Sequence, residues 1–157
     1  MPSMTEIERK WVLDAPPRWP ADHPQRHVEQ GYVALDEAGA EVRVRRADEE
    51  LTLTIKSAPG LVRVEEELAL SEAQFESLWA LTEGRRVVKT RHLIALEAGL
   101  TAEVDVYEDA LSGLVTAEVE FGSEEASAAF DAPDWLGREV TGDKRYANRA
   151  LAVAGAP

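Results

Sequence analysis

Along much of this chain charged and apolar residues alternate with period two, the spacing that puts every second side chain on one face of a β-strand. Glu6-Ile7-Glu8-Arg9-Lys10 places two carboxylates and an ammonium on one side. Arg43 and Arg45 alternate with Val42 and Val44, and Lys89 and Arg91 with Val88 and Thr90. Glu103 and Asp105 alternate with Val104 and Val106, and Glu118 and Glu120 with Val119 and Phe121. Each segment therefore predicts a strand with one charged and one apolar face. Like charges at successive same-face positions repel, so they need partners, and acid-rich strands facing base-rich strands across a barrel supply them.

The same reading predicts eight strands, at about 5–13, 27–35, 41–47, 51–57, 61–70, 86–97, 101–108 and 114–122. Gly31 and Tyr32 interrupt the second, which is given no facing, and Glu66 departs from the alternation in the fifth. Ala15 to Pro24, with its four prolines, is a connecting loop. Ser71 begins a helix reaching about Thr82, because its hydroxyl can cap the amide of Gln74 and Phe75, Leu78 and Trp79 form an apolar stripe. Two further helices are expected over 123–131 and 143–153. Short turns between so many strands point to a mainly β fold, a single domain over 1–157. The expected architecture is an eight-stranded antiparallel β-barrel with its helices packed outside and its charges inside.

Composition narrows the chemistry. With no cysteine there is no thiolate metal site, so a bound metal would be held by oxygen or imidazole, and carboxylates favour Mg²⁺ or Mn²⁺. The histidines at 23, 27 and 92 lack metal-ligand spacing, no Gly-x-Ser-x-Gly elbow occurs, and no glycine loop would cradle phosphate. Neither a leader nor an apolar run near the roughly 20 residues of a membrane helix is visible, so a cytoplasmic protein without a membrane partner is expected. The net charge of −13 argues against nucleic acid. Yet Arg43, Arg45, Lys56, Arg63, Lys89 and Arg91 all fall on expected strands, which suits a small anion better than a polymer. A homodimer is left open.

The ordered set of motifs resembles the CYTH superfamily, the triphosphate tunnel metalloenzymes, in its short stand-alone bacterial form. Glu6-x-Glu8-x-Lys10 matches the signature. Arg43-x-Arg45, Leu53-Thr54-Ile55-Lys56, Arg63-x-Glu65-x-Glu67, Lys89-x-Arg91, Glu103-Val104-Asp105-Val106 and Glu118-Val119-Glu120-Phe121 follow in order. So does the tail from Trp135 to Thr141. The resemblance implies a tunnel that binds a triphosphate and divalent metal. It implies that Glu6, Glu8 and Glu120 bind a first metal, with Glu118 beside them, and that Lys10 contacts phosphate or orients the attacking water. Arg43, Arg45, Lys56, Lys89 and Arg91 would grip phosphate oxygens. Glu65, Glu67, Glu103 and Asp105 would hold a second metal or its waters, and Glu65 and Glu67 count with Lys10 as catalytic. Arg63 would either touch substrate or pair with those acids.

Such residues suit phosphoryl transfer. A triphosphate carries about four or five negative charges near neutral pH, and water does not attack it until bases and metal offset them. The expected activity is Mg- or Mn-dependent hydrolysis of inorganic tripolyphosphate to pyrophosphate and phosphate. Two alternatives are an adenylate cyclase, which needs a nucleoside pocket the sequence does not reveal, and a polyphosphate-binding module, which needs the bases but not the acids.

Overall fold

The computed structural model describes residues 7–157. Nine strands form one antiparallel sheet: β1 (Ile7–Leu13), β2 (Gln25–Leu35), β3 (Glu41–Ala47), β4 (Glu50–Lys56), β5 (Glu65–Ala69), β6 (Arg86–Ala95), β7 (Thr101–Tyr107), β8 (Val115–Phe121) and β9 (Arg138–Glu139). Their order is β5-β4-β3-β2-β6-β7-β8-β1-β9. Three α-helices follow the pattern only in part: α1 (Glu72–Trp79), α2 (Glu124–Ala129) and α3 (Asn148–Ala154).

Register carries the alternation from strand to strand. Glu8 lies opposite Glu120 and Lys10 opposite Glu118. Glu103 pairs with Glu118, Arg91 with Asp105, Gln30 with Arg45 and Arg43 with Thr54. Because directly opposed residues share a face, the charged positions of all these strands lie on one side of the sheet. The other side is apolar. Trp11, Ile94, Val104, Val119 and Phe121 form its core, covered by Phe130, Trp135 and Leu136. Val44 is buried as well, and Val42 and Val106 are half-buried.

Two helices begin as their sequences dictate. The Ser71 hydroxyl accepts the Gln74 amide at 3.2 Å while the Gln74 side chain accepts the Ser71 amide at 2.9 Å, a reciprocal cap. Ser123 accepts the Ala126 amide at 3.0 Å to start α2. The turn after α1 explains the glycine that interrupts β2: a Cβ on Gly31 would collide with the side chain of Thr82.

Several features differ from the sequence-based expectation. The ladder is not closed: among the described residues no pairing joins β5 to β9. β9 is an added ninth strand, only two residues long, set on Trp11 and Val12 of β1. It can approach because Gly137 takes a positive φ of 75° where a Cβ would strike the Val12 carbonyl. The fifth strand is shorter than 61–70, since β4 ends at Lys56. The Ser57 amide and hydroxyl then bond the backbone of Val64 at 2.9 and 2.8 Å, leaving 58–63 as the connection. The expected helix over 143–153 divides into a tight turn, Lys144–Tyr146, an extended Ala147 and α3.

That last segment also lies on an unexpected side. Tyr146, Leu151 and Ala152 pack with Tyr32, Val87, Tyr107 and Val12. The register puts Tyr32 opposite Arg43 and Tyr107 opposite Lys89, on the charged side of the sheet. A short segment touches β1 and β2, four places apart in the order, only if the sheet curls around it. So α3 plugs one end of a charged trough while α1 and α2 pack outside. Among the described residues no helix is long and apolar enough to cross a membrane.

Candidate active site

The trough has an acidic wall on β1, β7 and β8 and a basic wall on β2, β3 and β6. Glu8, Glu103, Glu118 and Glu120 line a cavity of about 360 Å³ at the end away from the plug, edged by Gly99 to Thr101 and by Phe121 and Gly122. Glu6 lies outside the described residues. Lys10 projects beside the acids, with Nζ 3.3 Å from Glu118 Oε1, and donates to the Tyr146 carbonyl at 2.6 Å. The plugging segment thereby aims the Lys10 ammonium.

The deepest charges are Lys89 and Asp105, 3% and 5% exposed. Lys89 Nζ lies 2.8 Å from Asp105 Oδ2. Arg91 forks onto the same carboxylate through Nε at 2.8 Å and Nη2 at 3.0 Å, and its Nη1 lies 3.2 Å from Glu103. Burial alone would raise the Asp105 carboxyl, but the two cations outweigh it and hold it below the ordinary carboxylate range. Burial also weakens Arg91 as a cation, and its bonds to Asp105 more than restore it.

Beyond Arg91 the bases are poorly matched. Burial, then the neighbouring Arg91, Arg43 and Arg26, depress the pKa of Arg45, so its charge sits among other positive charges. The Nε atoms of Arg43 and Arg45 are buried and have no hydrogen-bond partner among the described residues. Arg43 comes only to 3.8 Å from Glu41, and Lys56 only to 3.8 Å from Glu65. Partly desolvated, mutually repelling guanidinium groups with donors to spare have the chemistry that suits an anion, because bidentate phosphate contacts would relieve both defects.

The strand segments thus bring Glu8, Lys10, Arg43, Arg45, Lys89, Arg91, Glu103, Asp105, Glu118 and Glu120 onto one concave surface. Lys56, Glu65 and Glu67 share that face at the margin, β5 being exposed throughout. Arg63 is not brought to the bases or the acids. It lies before β5 and bonds the carbonyls of Ser57 at 2.8 Å and Gly39 at 3.3 Å.

A divalent cation fits the donor set, since four carboxylates lining one cavity are the oxygen ligands that Mg²⁺ and Mn²⁺ take. Among the described residues no three histidine, aspartate or glutamate side chains are already disposed as a metal site.

Sequence reasoning missed three participants. Glu41, 7% exposed, sits on the basic wall 3.8 Å from Arg43 and 3.9 Å from Arg149 of α3; its position opposite Lys56 was a usable signal. Tyr146 and Asn148 reach Lys10 and Lys89 through tertiary packing that no local pattern announces. On the outer face Trp19 stacks on His92, ring centroids 3.9 Å apart, and His23 Nε2 meets His92 Nδ1 at 2.7 Å. This anchors the proline-rich loop and accounts for two histidines structurally.

The chain is 45% identical over 151 residues to the inorganic triphosphatase of Nitrosomonas europaea, spanning 96% of this chain and 99% of the relative. It is 42% identical over 125 residues to the inorganic triphosphatase of Acetivibrio thermocellus, 78% of this chain and 77% of that one. The crystal structure of the inorganic triphosphatase NE1496 superposes with a TM-score of 0.83 at 41% identity, covering 99% of both chains. No family model matches the chain.

Proposed function

The chain belongs to the inorganic triphosphatases of the CYTH superfamily, and on that premise we propose that it hydrolyses inorganic tripolyphosphate to pyrophosphate and phosphate with a divalent cation. The observation that carries this reading is the crowding of Arg43, Arg45 and Arg91 on one half-buried wall, with two guanidinium Nε atoms unpartnered among the described residues, opposite a cavity lined by four glutamates. A tripolyphosphate laid along the basic wall supplies the missing acceptors, and the acidic wall receives the cation that accompanies it.

Arg45, Arg43 and Arg91 bind phosphate oxygens, and Lys89 adds a buried point charge. Lys10, held by the Tyr146 carbonyl beside Glu118, orients the attacking water or a phosphate oxygen. Glu8, Glu118 and Glu120, together with Glu6, would hold Mg²⁺ or Mn²⁺, and Glu65, Glu67 and Glu103 a second ion or its waters. Such ions, when bound, draw charge from phosphate oxygens and lower the pKa of a coordinated water. In the reaction the water oxygen bonds to phosphorus as a P–O–P bond breaks, and pyrophosphate leaves with the electron pair.

Steady-state kinetics with Mg²⁺ and tripolyphosphate, ATP or thiamine triphosphate test the reading. Tripolyphosphate is expected to show the largest kcat/KM and to compete with the other two. A preference for ATP with cyclic AMP among the products would overturn it in favour of a cyclase.

A further inference from the structure

We propose that Asp105 is a positioning residue that holds Lys89 and Arg91 in the pose that grips phosphate, and is not a ligand of the divalent cation. This rests on the tripolyphosphate reading above. The carboxylate already accepts from three charged donors: Oδ2 faces Lys89 Nζ at 2.8 Å and Arg91 Nη2 at 3.0 Å, and Oδ1 accepts from Arg91 Nε at 2.8 Å. Coordinating a cation would mean giving up some of these bonds to admit a third positive neighbour in a place that is 5% exposed. Among the described residues the carboxylates that border the acidic cavity are Glu8, Glu103, Glu118 and Glu120, and Asp105 is not one of them.

Its position explains what it does there. Asp105 lies opposite Arg91 in the β6–β7 ladder, and Lys89 is two residues along the same face of β6. The fork fixes the plane of the Arg91 guanidinium. Lys89 matters as much, because an ammonium 3% exposed is held in this pose by the carboxylate 2.8 Å from it, and without that partner it would be an uncompensated buried charge that turns away from the phosphate position. The other groups around Lys89 replace little of this: Asn148 Oδ1 is 3.5 Å away, at the limit of a hydrogen bond, and the Tyr107 ring centroid is 5.5 Å away. One negative charge between two positive ones also lets the pair sit side by side before any substrate arrives.

Asp105→Asn and Asp105→Glu separate the roles. Tripolyphosphate binding is measured by calorimetry in excess chelator, the Mg²⁺ concentration for half-maximal activity is measured beside it, and a thermal midpoint checks folding. Both variants are expected to raise the metal-free Kd about tenfold or more, the scale of one charge-assisted hydrogen bond, and KM with it. The Mg²⁺ requirement is expected to stay within about twofold, well under the effect of one lost ligand bond. If Asp105→Asn does not fold, Asp105→Glu carries the test, since it keeps the charge and shifts only the geometry. Arg91→Lys, which keeps charge but loses the fork, is expected to give the same signature. A raised Mg²⁺ requirement with unchanged metal-free Kd would overturn the proposal and make Asp105 a metal ligand. Unchanged values of both would overturn it as well. Failure of the wild-type chain to bind tripolyphosphate would overturn this proposal and the parent reading together, whereas failure of the variants alone to differ leaves the parent reading standing.

Discussion

β7 with β8 and β4 with β5 are hairpins written in the same alternating code, yet they occupy opposite settings. Across β7 and β8 the apolar parity is sealed, with Val104 and Val119 at 0% exposure beneath Phe130 and Trp135, and the charged parity faces the acidic cavity. Across β4 and β5 the apolar parity is only partly covered, with Leu51 and Leu53 half-buried but Ile55 and Leu68 at 44% and 54% exposure, and the outer edge is unpaired among the described residues. Alternation therefore sorts side chains into two faces, and the neighbouring elements decide which faces matter energetically. Glu118 on β8 is half-buried beside a concave cavity, whereas the glutamates of β5 are exposed at a rim where water screens them.

The largest contrast is expected in turnover. Glu120→Gln removes a proposed metal ligand from β8 and is expected to lower kcat about a hundredfold or more at fixed Mg²⁺, in line with losing a group that stabilises transition-state charge. Metal-free tripolyphosphate binding, measured in parallel, is expected not to weaken, since a repelling charge is removed. Weaker binding would place Glu120 with the anion instead.

Stability separates the hairpins next. Val104→Ala, at 0% exposure, is expected to cost about 2 kcal/mol, while Leu68→Ala, though it removes more carbon, is expected to cost under about 0.5 kcal/mol. Denaturant midpoints of the two variants measure this, and equal losses would show that β5 is covered in solution.

The smallest effect concerns pH and the outer face of β6. Burial, then the neighbouring His23, hold the His92 pKa below the ordinary histidine value of 6.5, with Asp105 opposing. The unfolded chain therefore takes up this proton first. The stack's contribution is full above about pH 6.5 and declines as pH falls through the ordinary histidine range. Fluorescence of Trp19, isolated by comparison with Trp19→Phe, is expected to change as pH falls below the ordinary histidine value of about 6.5, while His92→Gln flattens the transition.

Much of the fold was legible because a period of two survives any strand order: the facing of Arg43, Arg45, Lys89, Arg91, Glu118 and Glu120 needed no tertiary knowledge. The missed parts depend on distant contacts. Two residues cannot announce a strand, so β9 is visible only through Gly137 and its approach to Val12. The apolar residues Tyr146 and Leu151 read equally well as an outer helix, and nothing local tells them to seek Tyr32 and Tyr107. Arg63 obeys the parity of Glu65 and Glu67, but the end of β4 leaves it outside the ladder, where turn carbonyls claim it. The Trp19, His23 and His92 stack joins rings 69 residues apart for its histidine bond. In the candidate site the sequence assembled the charges by type; only the coordinates distinguish the paired Asp105 from the acids that line the cavity.

We propose that a wall of crowded bases and a wall of acids together hydrolyse a triphosphate chain. Phosphorus NMR of the purified protein with tripolyphosphate and Mg²⁺ tests it most directly. The account predicts that tripolyphosphate signals give way to pyrophosphate and orthophosphate in equal amounts, and that chelating the metal halts the conversion while calorimetry still detects binding. Tripolyphosphate that binds but stays intact at saturating Mg²⁺ or Mn²⁺ would contradict the claim and leave a polyphosphate-binding module.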